Sequence, residues 1–288
     1  MSTYSNDSYN YSGYATSRPT YNPDLIKFLL DYHLSCPGNK THTALDAATG
    51  TGIFARLLCK SFTKTIATDI SEKMLAVAAQ TTDDTLPIEY LQLSSEDLSS
   101  IPDHSIDLLT VATGAHWFKS EAFMKEAKRV LVPNGTLAIF GYSGFGEFVA
   151  LPECSRIFRE YGMDIIGPYW DTGRDILTRL YSHYSHLATN MGFKDVALNI
   201  YPKSSEPYVG THYSVLDAPT IINHKFTWGS FYNFIKTWSA ATNYNLAHPN
   251  QTDINLLTIE RLMKAAGTAD FDQNLEFNME QSILICRA

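Results

Sequence analysis

Along the first half of the chain, short apolar runs alternate with stretches in which apolar residues recur every three or four positions. Runs of the first kind predict strands, and the second kind predict amphipathic helices. Pro23-Asp24 opens a helical stretch carrying Leu25, Ile26, Phe28, Leu29 and Leu30. Residues 43–46 predict a short strand that runs into a glycine turn, 53–62 an amphipathic helix, and 65–69 a second strand. Ser71 is placed to cap a helix that continues through Gln80, with Glu72 in its first turn. A third strand is predicted at 88–93. A fourth, at 106–112, is so apolar that it belongs in the middle of a sheet. Residues 121–130 predict a helix, and Pro133-Asn134-Gly135 a turn into a fifth strand, 136–140. Strands alternating with helices predict an α/β fold with a doubly wound, mostly parallel sheet.

Beyond Tyr142 the pattern changes. Residues 147–192 predict helices interrupted by glycine and proline, 196–201 a strand, 230–241 an aromatic-rich helix, 253–265 another helix, and 277–286 a terminal strand. The expected organisation is an N-terminal lid segment, 1–23, a nucleotide-type core, 24–145, an inserted cap with a return to the sheet, 146–275, and a terminal strand of the core, 276–288. The N-terminal segment carries Tyr4, Tyr9, Tyr11 and Tyr14. Its polarity suits a free tail, whereas its aromatic content suits a lid over a ligand.

A net charge of −8 with no run of Lys or Arg argues against a nucleic-acid partner. No apolar run reaches the roughly 18–20 residues of a bilayer span, and the N-terminus lacks the apolar stretch of a secretory signal. Cys36, Cys59, Cys154 and Cys286 are scattered, which suits a reducing cytoplasm and offers no zinc framework. The expectation is a cytoplasmic protein with a small-molecule ligand, no membrane or nucleic-acid partner and no metal.

The turn Asp46-Ala47-Ala48-Thr49-Gly50-Thr51-Gly52 lies between a predicted strand and a predicted helix. Gly50 and Gly52 let the backbone approach a ligand, and a helix N-terminus would favour an anionic group. Asp69, closing the second strand, can accept hydrogen bonds from both ribose hydroxyls of an adenosine. Gly50-Thr51-Gly52-Ile53-Phe54-Ala55 also fits the G-x-G-x-x-A dinucleotide fingerprint, so an NAD-dependent oxidoreductase stays in view. Asp46 weighs against it, because a carboxylate there would repel a pyrophosphate and attract an ammonium group. A turn or capping role for Asp46 is the alternative.

Further motifs carry a resemblance. Leu45-Asp46 through Gly52, Asp69-Ile70-Ser71-Glu72-Lys73-Met74-Leu75, Ser95-Glu96-Asp97-Leu98, Pro102-Asp103-His104-Ser105-Ile106-Asp107 and Val130-Leu131-Val132-Pro133-Asn134-Gly135-Thr136-Leu137 together resemble the class I S-adenosylmethionine-dependent methyltransferases. The resemblance implies a seven-stranded Rossmann-like sheet with a mainly helical cap. It assigns the cofactor to Asp46, Ala48, Gly50, Gly52, Asp69, Ile70, Met74, Ser95, Glu96 and Thr113. Where the family usually has glycine, this chain has Ala48. A methyl group there crowds the turn or the methionine end, and it keeps open a non-catalytic binding protein.

Ser17-Arg18-Pro19-Thr20-Tyr21-Asn22-Pro23, Ala115-His116-Trp117-Phe118, Gly167-Pro168-Tyr169-Trp170 and Thr237-Trp238-Ser239-Ala240 resemble a fungal subgroup of trans-aconitate and cantharidin-resistance methyltransferases. That implies O-methylation of a small carboxylic acid, with Tyr14, Arg18, His116, Trp117, Tyr169, Trp170 and Trp238 near the substrate. An aromatic wall of Tyr14, Tyr169, Trp170 and Trp238 could face the sulfonium. A carboxylate acceptor is ionised at neutral pH and needs no base, whereas a hydroxyl or thiol acceptor would make His116 the candidate base. Arg174 suits either an acidic ligand or a helix cap. His183 and His186 are expected to be exposed helical histidines rather than metal ligands. No hydrolase motif occurs.

Overall fold

The structure is a computed structural model and describes residues 20–202, 212–222 and 225–288. Two predicted site residues, Tyr14 and Arg18, lie outside these residues. The chain divides into two compact units.

The larger unit comprises Tyr21–Tyr142, the described residues of Asp175–Asn223, and Gln281–Ala288. It begins with α1 (Pro23–Leu34), whose first turn is closed by the Asn22 side chain accepting from the Asp24 N–H. The sheet is laid down by β1 (Thr43–Ala47), β2 (Lys64–Asp69), β3 (Ile88–Gln92), β4 (Ile106–Ala112) and β5 (Leu131–Phe148). Helix α2 (Ala55–Leu58) follows β1, α3 (Glu72–Gln80) follows β2, and α4 (Ser120–Val130) precedes β5. As the sequence predicts, Ser71 caps α3, its hydroxyl accepting from the Met74 N–H. Strand β4 is buried along nearly its whole length, as its composition predicts, and pairs in parallel with β1 and β5.

The predicted helix over 53–62 is shorter than expected. Gly52 takes a φ of +75°, which no helix accommodates, so α-helical geometry lasts only from Ala55 to Leu58 before a 3-10 turn at Cys59–Ser61. After the cap segment come α6 (Arg174–Thr178), α7 (Ser182–Asn190), β6 (Lys194–Tyr201) and the two-residue β7 (Ser214–Val215). The sheet order is β3-β2-β1-β4-β5-β10-β6-β7, where β10 (Phe277–Arg287) is the terminal strand. Strand β10 is antiparallel to β6. Seven strands were expected; the eighth is the short β7 at the edge. The described residues of 175–223, expected in the cap, cluster with the core instead. There Tyr181 and Tyr184 enter the same buried cluster as Leu109, Val111, Phe123 and Ile139.

The smaller unit comprises Ser143–Arg174 and the described residues of His224–Glu280. It contains α5 (Pro152–Arg159), a π-helical turn Glu160–Ile165, β8 (Phe226–Thr227), α8 (Trp228–Lys236), α9 (Ser239–Ala247), α10 (Ile254–Ala266) and β9 (Asn274–Leu275). The single predicted helix over 230–241 is two helices. Trp238 adopts extended backbone geometry between α8 and α9. Its ring packs against Phe145, Phe158, Tyr161 and Trp170, 5.4–6.0 Å between centroids. This aromatic core, continued by Phe148, Phe231 and Phe277, overrides the continuous helical periodicity.

One charged residue secures the edge of the larger unit. Arg287, on β10, stacks on the Tyr32 ring at 4.3 Å and donates to the Tyr32 carbonyl at 2.6 Å and the Ser35 hydroxyl at 2.9 Å. It thereby joins the last strand to the end of α1. Arg287→Met keeps bulk but loses these bonds, and a fall of about 2–3 kcal/mol in unfolding free energy is expected in urea titration. A loss below about 0.5 kcal/mol would equate the cluster with an ordinary surface pair.

Candidate functional site

The carboxyl-terminal ends of β2, β1 and β4 lie side by side in the sheet, where open α/β sheets hold ligands. Asp46, near the end of β1, is 0% exposed. Its Oδ2 accepts from the Thr49 hydroxyl at 2.6 Å, and its Oδ1 accepts from the Thr110 hydroxyl of β4 at 2.8 Å. Burial pushes its pKa up to about 6 against the pull of those two hydroxyls, and the charge of Asp69 adds to the rise. The carboxyl group therefore sits beneath the turn rather than on the crevice surface. The expected direct contact with an ammonium group gives way to a turn-bracing role.

The turn itself is bonded inward. Thr49 N–H donates to the Thr68 carbonyl at 2.9 Å, Gly50 N–H to Asp69 Oδ2 at 2.8 Å, and Gly52 N–H to the Thr49 carbonyl at 3.0 Å. Asp69 Oδ1 accepts from Ser71 N–H at 2.8 Å. Burial raises the Asp69 pKa, opposed by these backbone donors. Each carboxylate oxygen accepts more than one hydrogen bond, so Asp69 retains capacity for a ribose hydroxyl. A side chain built on Gly50 would meet nothing within 4 Å, so open space lies on that side of the turn. One built on Gly52 would fall 2.6 Å from the Tyr90 hydroxyl, so that glycine serves packing. Ile70, directly after Asp69, is 72% exposed, an apolar face available to a flat ring.

These features decide between the two nucleosides left open above. The turn amide that could cradle a pyrophosphate at Gly50 is spent on a carboxylate. The following α-helix has four residues and provides little dipole. Arg56 directs its guanidinium to the Thr51 carbonyl and to the Thr81 and Thr82 hydroxyls. Two carboxylates beside an open glycine fit a nucleoside bearing positive charge, as in S-adenosylmethionine, better than a dinucleotide.

Ala48 has φ +52°, the left-handed region that glycine favours. Its methyl group occupies space beside Gly114, where an added Cβ would approach within 2.9 Å. Thr113, at the end of β4, is also left-handed, with φ +55°. Its hydroxyl pairs with the Tyr21 hydroxyl at 3.2 Å. Tyr21 was not singled out from the sequence, although it lies in a quoted motif. It packs edge-on against Phe54 and Phe140 at 5.2 and 5.9 Å. Met74 is 7% exposed and Ser95 is buried. Glu96 accepts from the Ser94 hydroxyl and from Lys119 N–H, so it ties its loop to the start of α4.

His116 lies in a 3-10 turn, Ala115–Trp117, just beyond β4. Its Nδ1 is 3.0 Å from the Tyr181 hydroxyl, and the Trp117 ring centre is 4.9 Å away. Tyr184 donates to the Ala115 carbonyl at 2.7 Å. Neither tyrosine was found from the sequence, because both come from a segment assigned to the cap. His183, expected to be exposed, is half-buried with its Nε2 2.9 Å from the Ser120 hydroxyl. Desolvation lowers its pKa to about 4. Only His186 of that pair is exposed, and no metal-binding cluster occurs among the described residues.

In the smaller unit, Trp170 donates to the Gly162 carbonyl at 3.2 Å and lies 5.4 Å from Trp238. The Arg174 guanidinium sits over Trp170 at 4.0 Å and Phe145 at 4.5 Å. Tyr169 packs apart from that group, against Tyr244 and His248.

Residues 45–139 match the methyltransferase domain family. Over nearly its full length, 99% of this chain and 98% of the relative, the sequence is 27% identical to the probable S-adenosylmethionine-dependent methyltransferase CRG1 of Saccharomyces cerevisiae. It is 29% identical to a putative methyltransferase of Dictyostelium discoideum, over 91% and 86% of the two chains. A putative type II methyltransferase of Anaeromyxobacter dehalogenans shares the fold, with a TM-score of 0.65 at 21% identity over 94% and 97% of the chains. The chain is a methyltransferase of class I architecture. S-adenosylmethionine is its methyl donor, as the matched domain and the relatives indicate.

Two measurements probe the turn. A carboxyl whose folded pKa lies above its ordinary 3.8 holds its proton in the folded state up to about pH 6. Rising pH through that interval therefore removes stability. Asp46→Asn keeps the shape without the charge. Relative to the native protein, its unfolding free energy should gain about 2–3 kcal/mol between about pH 4 and about pH 7.5. A difference that stays flat would mean that Asp46 titrates normally. Ala48→Gly relieves the left-handed alanine and should raise unfolding free energy by about 0.5–1 kcal/mol. A loss of stability would instead make the methyl contact with Gly114 the larger effect.

Proposed function

We propose that the chain transfers the methyl group to an oxygen of a small carboxylic acid. S-adenosylmethionine supplies a methyl group on a positively charged sulfur, and transfer to a carboxylate oxygen yields a methyl ester and S-adenosylhomocysteine. The protein's residues have to align the acceptor and exclude water. The observation that carries the reading is the partner of His116. Its Nδ1 meets a neutral phenol, whereas an imidazole working as a general base is commonly braced by a carboxylate. A carboxylate acceptor is already ionised and asks for no base. The charge of −8 and the lack of a basic run favour a small molecule over a nucleic acid. All four cysteines are unpaired, which supports a reducing, cytoplasmic setting. Among the described residues, no helix is long and apolar enough to cross a membrane.

The test is turnover of S-adenosylmethionine with a panel of mono-, di- and tricarboxylic acids, read as methyl ester by mass spectrometry. At least one acid is expected to be esterified. Turnover of hydroxyl or thiol compounds with none of the acids would overturn the reading. With the active acid, His116→Ala should lower kcat by less than about tenfold, because loss of a general base costs about 10²–10⁴.

A further inference from the structure

We infer that Tyr21 is a positioning residue for the methyl donor: it grips the glycine turn from both ends, acting on Ala48 through Thr113 and Gly114 and on Phe54 through its own ring. The inference rests on a donor held at the ends of β1, β2 and β4, and it makes no use of the acceptor's identity.

At the start of the turn the link runs through strain. The hydroxyls of half-buried Tyr21 and of Thr113 pair at 3.2 Å. Thr113 is left-handed, with φ +55°, and keeps its N–H on the Phe140 carbonyl at 2.8 Å. A β-branched residue holds such a backbone only where its neighbours enforce it. The next residue, Gly114, lies against the Ala48 methyl group, which an added Cβ would approach within 2.9 Å. Ala48 is itself left-handed. A shift of Thr113 is therefore passed through Gly114 to the beginning of the glycine turn.

At the end of the turn the link is a ring contact. Phe54, 1% exposed, immediately precedes α2. Tyr21 packs edge-on against it at 5.2 Å and against Phe140 at 5.9 Å, and those two rings are 4.8 Å apart. Edge-on pairs fix the orientation of their rings.

Tyr21 works from a firm support. Asn22 N–H donates to the Ile221 carbonyl at 2.8 Å, and its side chain donates to the Pro219 carbonyl at 3.4 Å. Gln281 of β10, 2% exposed, clasps the same stretch. Its Oε1 accepts from the N–H groups of Ile221 and Ile222 at 2.9 and 3.0 Å, and its Nε2 donates to the Ile222 carbonyl at 2.8 Å. A satisfied, buried amide of this kind is rigid. The turn is thus set before the donor arrives, and a preset site binds more tightly because less is ordered on binding.

Calorimetry of the full chain with S-adenosylhomocysteine tests the inference. Tyr21→Phe keeps the ring and removes the hydroxyl. It should weaken binding about fivefold, the worth of one hydrogen bond. Tyr21→Leu, which also removes the ring contacts, should weaken it by at least about tenfold. In a Thr113→Val background, Tyr21→Phe should add less than about twofold, because its partner is already gone. Affinity of Tyr21→Phe within about twofold of native would overturn the inference, since a residue that only stabilises the fold leaves the affinity of folded protein unchanged. A full fivefold loss in the Thr113→Val background would overturn it as well, by showing that the hydroxyl does not act through Thr113. S-adenosylhomocysteine involves no acceptor, so these outcomes are separate from those of the carboxylic acid panel.

Discussion

The site depends on a carboxyl group that has no contact with water. Asp46 binds the Thr110 hydroxyl on the neighbouring strand and the Thr49 hydroxyl in the turn above it. Because Thr49 also donates its N–H to the Thr68 carbonyl of β2, this one side chain cross-braces the ends of three adjacent strands. The brace settles the turn so that Gly50 N–H reaches Asp69. Burial is the cost, and it lifts the Asp46 pKa to about 6. A cation arriving on the turn would favour the ionised form and draw that pKa down. Ligand charge and the proton on Asp46 are therefore linked, although the two groups need not touch.

Backbone strain is concentrated around the same strand ends. Ala48, Thr113, Leu180 and Tyr181 are all left-handed without being glycine, and strain of this kind gathers at functional sites. Nearby glycines answer two of these positions. Gly114 is bare where the Ala48 methyl intrudes, and Gly141 is bare where the Tyr181 ring intrudes. The usual glycine of the turn has become alanine here, and the neighbouring residue lacks a side chain to make room for it.

Local pattern made much of the core legible from the residues alone. The apolar run over Ile106–Ala112 marked a central strand, and Ser71 marked the start of α3, because both signals act within a few positions. What stayed hidden depends on distant partners. The inward fate of Asp46 requires Thr110, 64 positions on. Tyr181 comes beside His116 because the chain from Asp175 to Asn190 folds with the core, whereas its helical periodicity matches the cap equally well. The helix after the turn reads as long because Ile53–Phe62 is amphipathic, yet the φ of Gly52 delays its start. In the smaller unit, burying Trp238 among four aromatic rings outweighs uninterrupted helix between α8 and α9.

The aromatic residues expected around a sulfonium gain a different physical role. A cation–π site offers its ring faces to the charge it holds. In the smaller unit Trp170 and Phe145 already present theirs to Arg174, at 4.0 and 4.5 Å, and Trp238 is spent on the core. Stacking fixes the plane of a guanidinium while its N–H groups point outward in that plane. The rings therefore orient a cation belonging to the protein. Half-buried Glu280 lies within reach of the same guanidinium: desolvation raises its pKa, while the Ser143 hydroxyl, Arg159 and Arg174 pull it down.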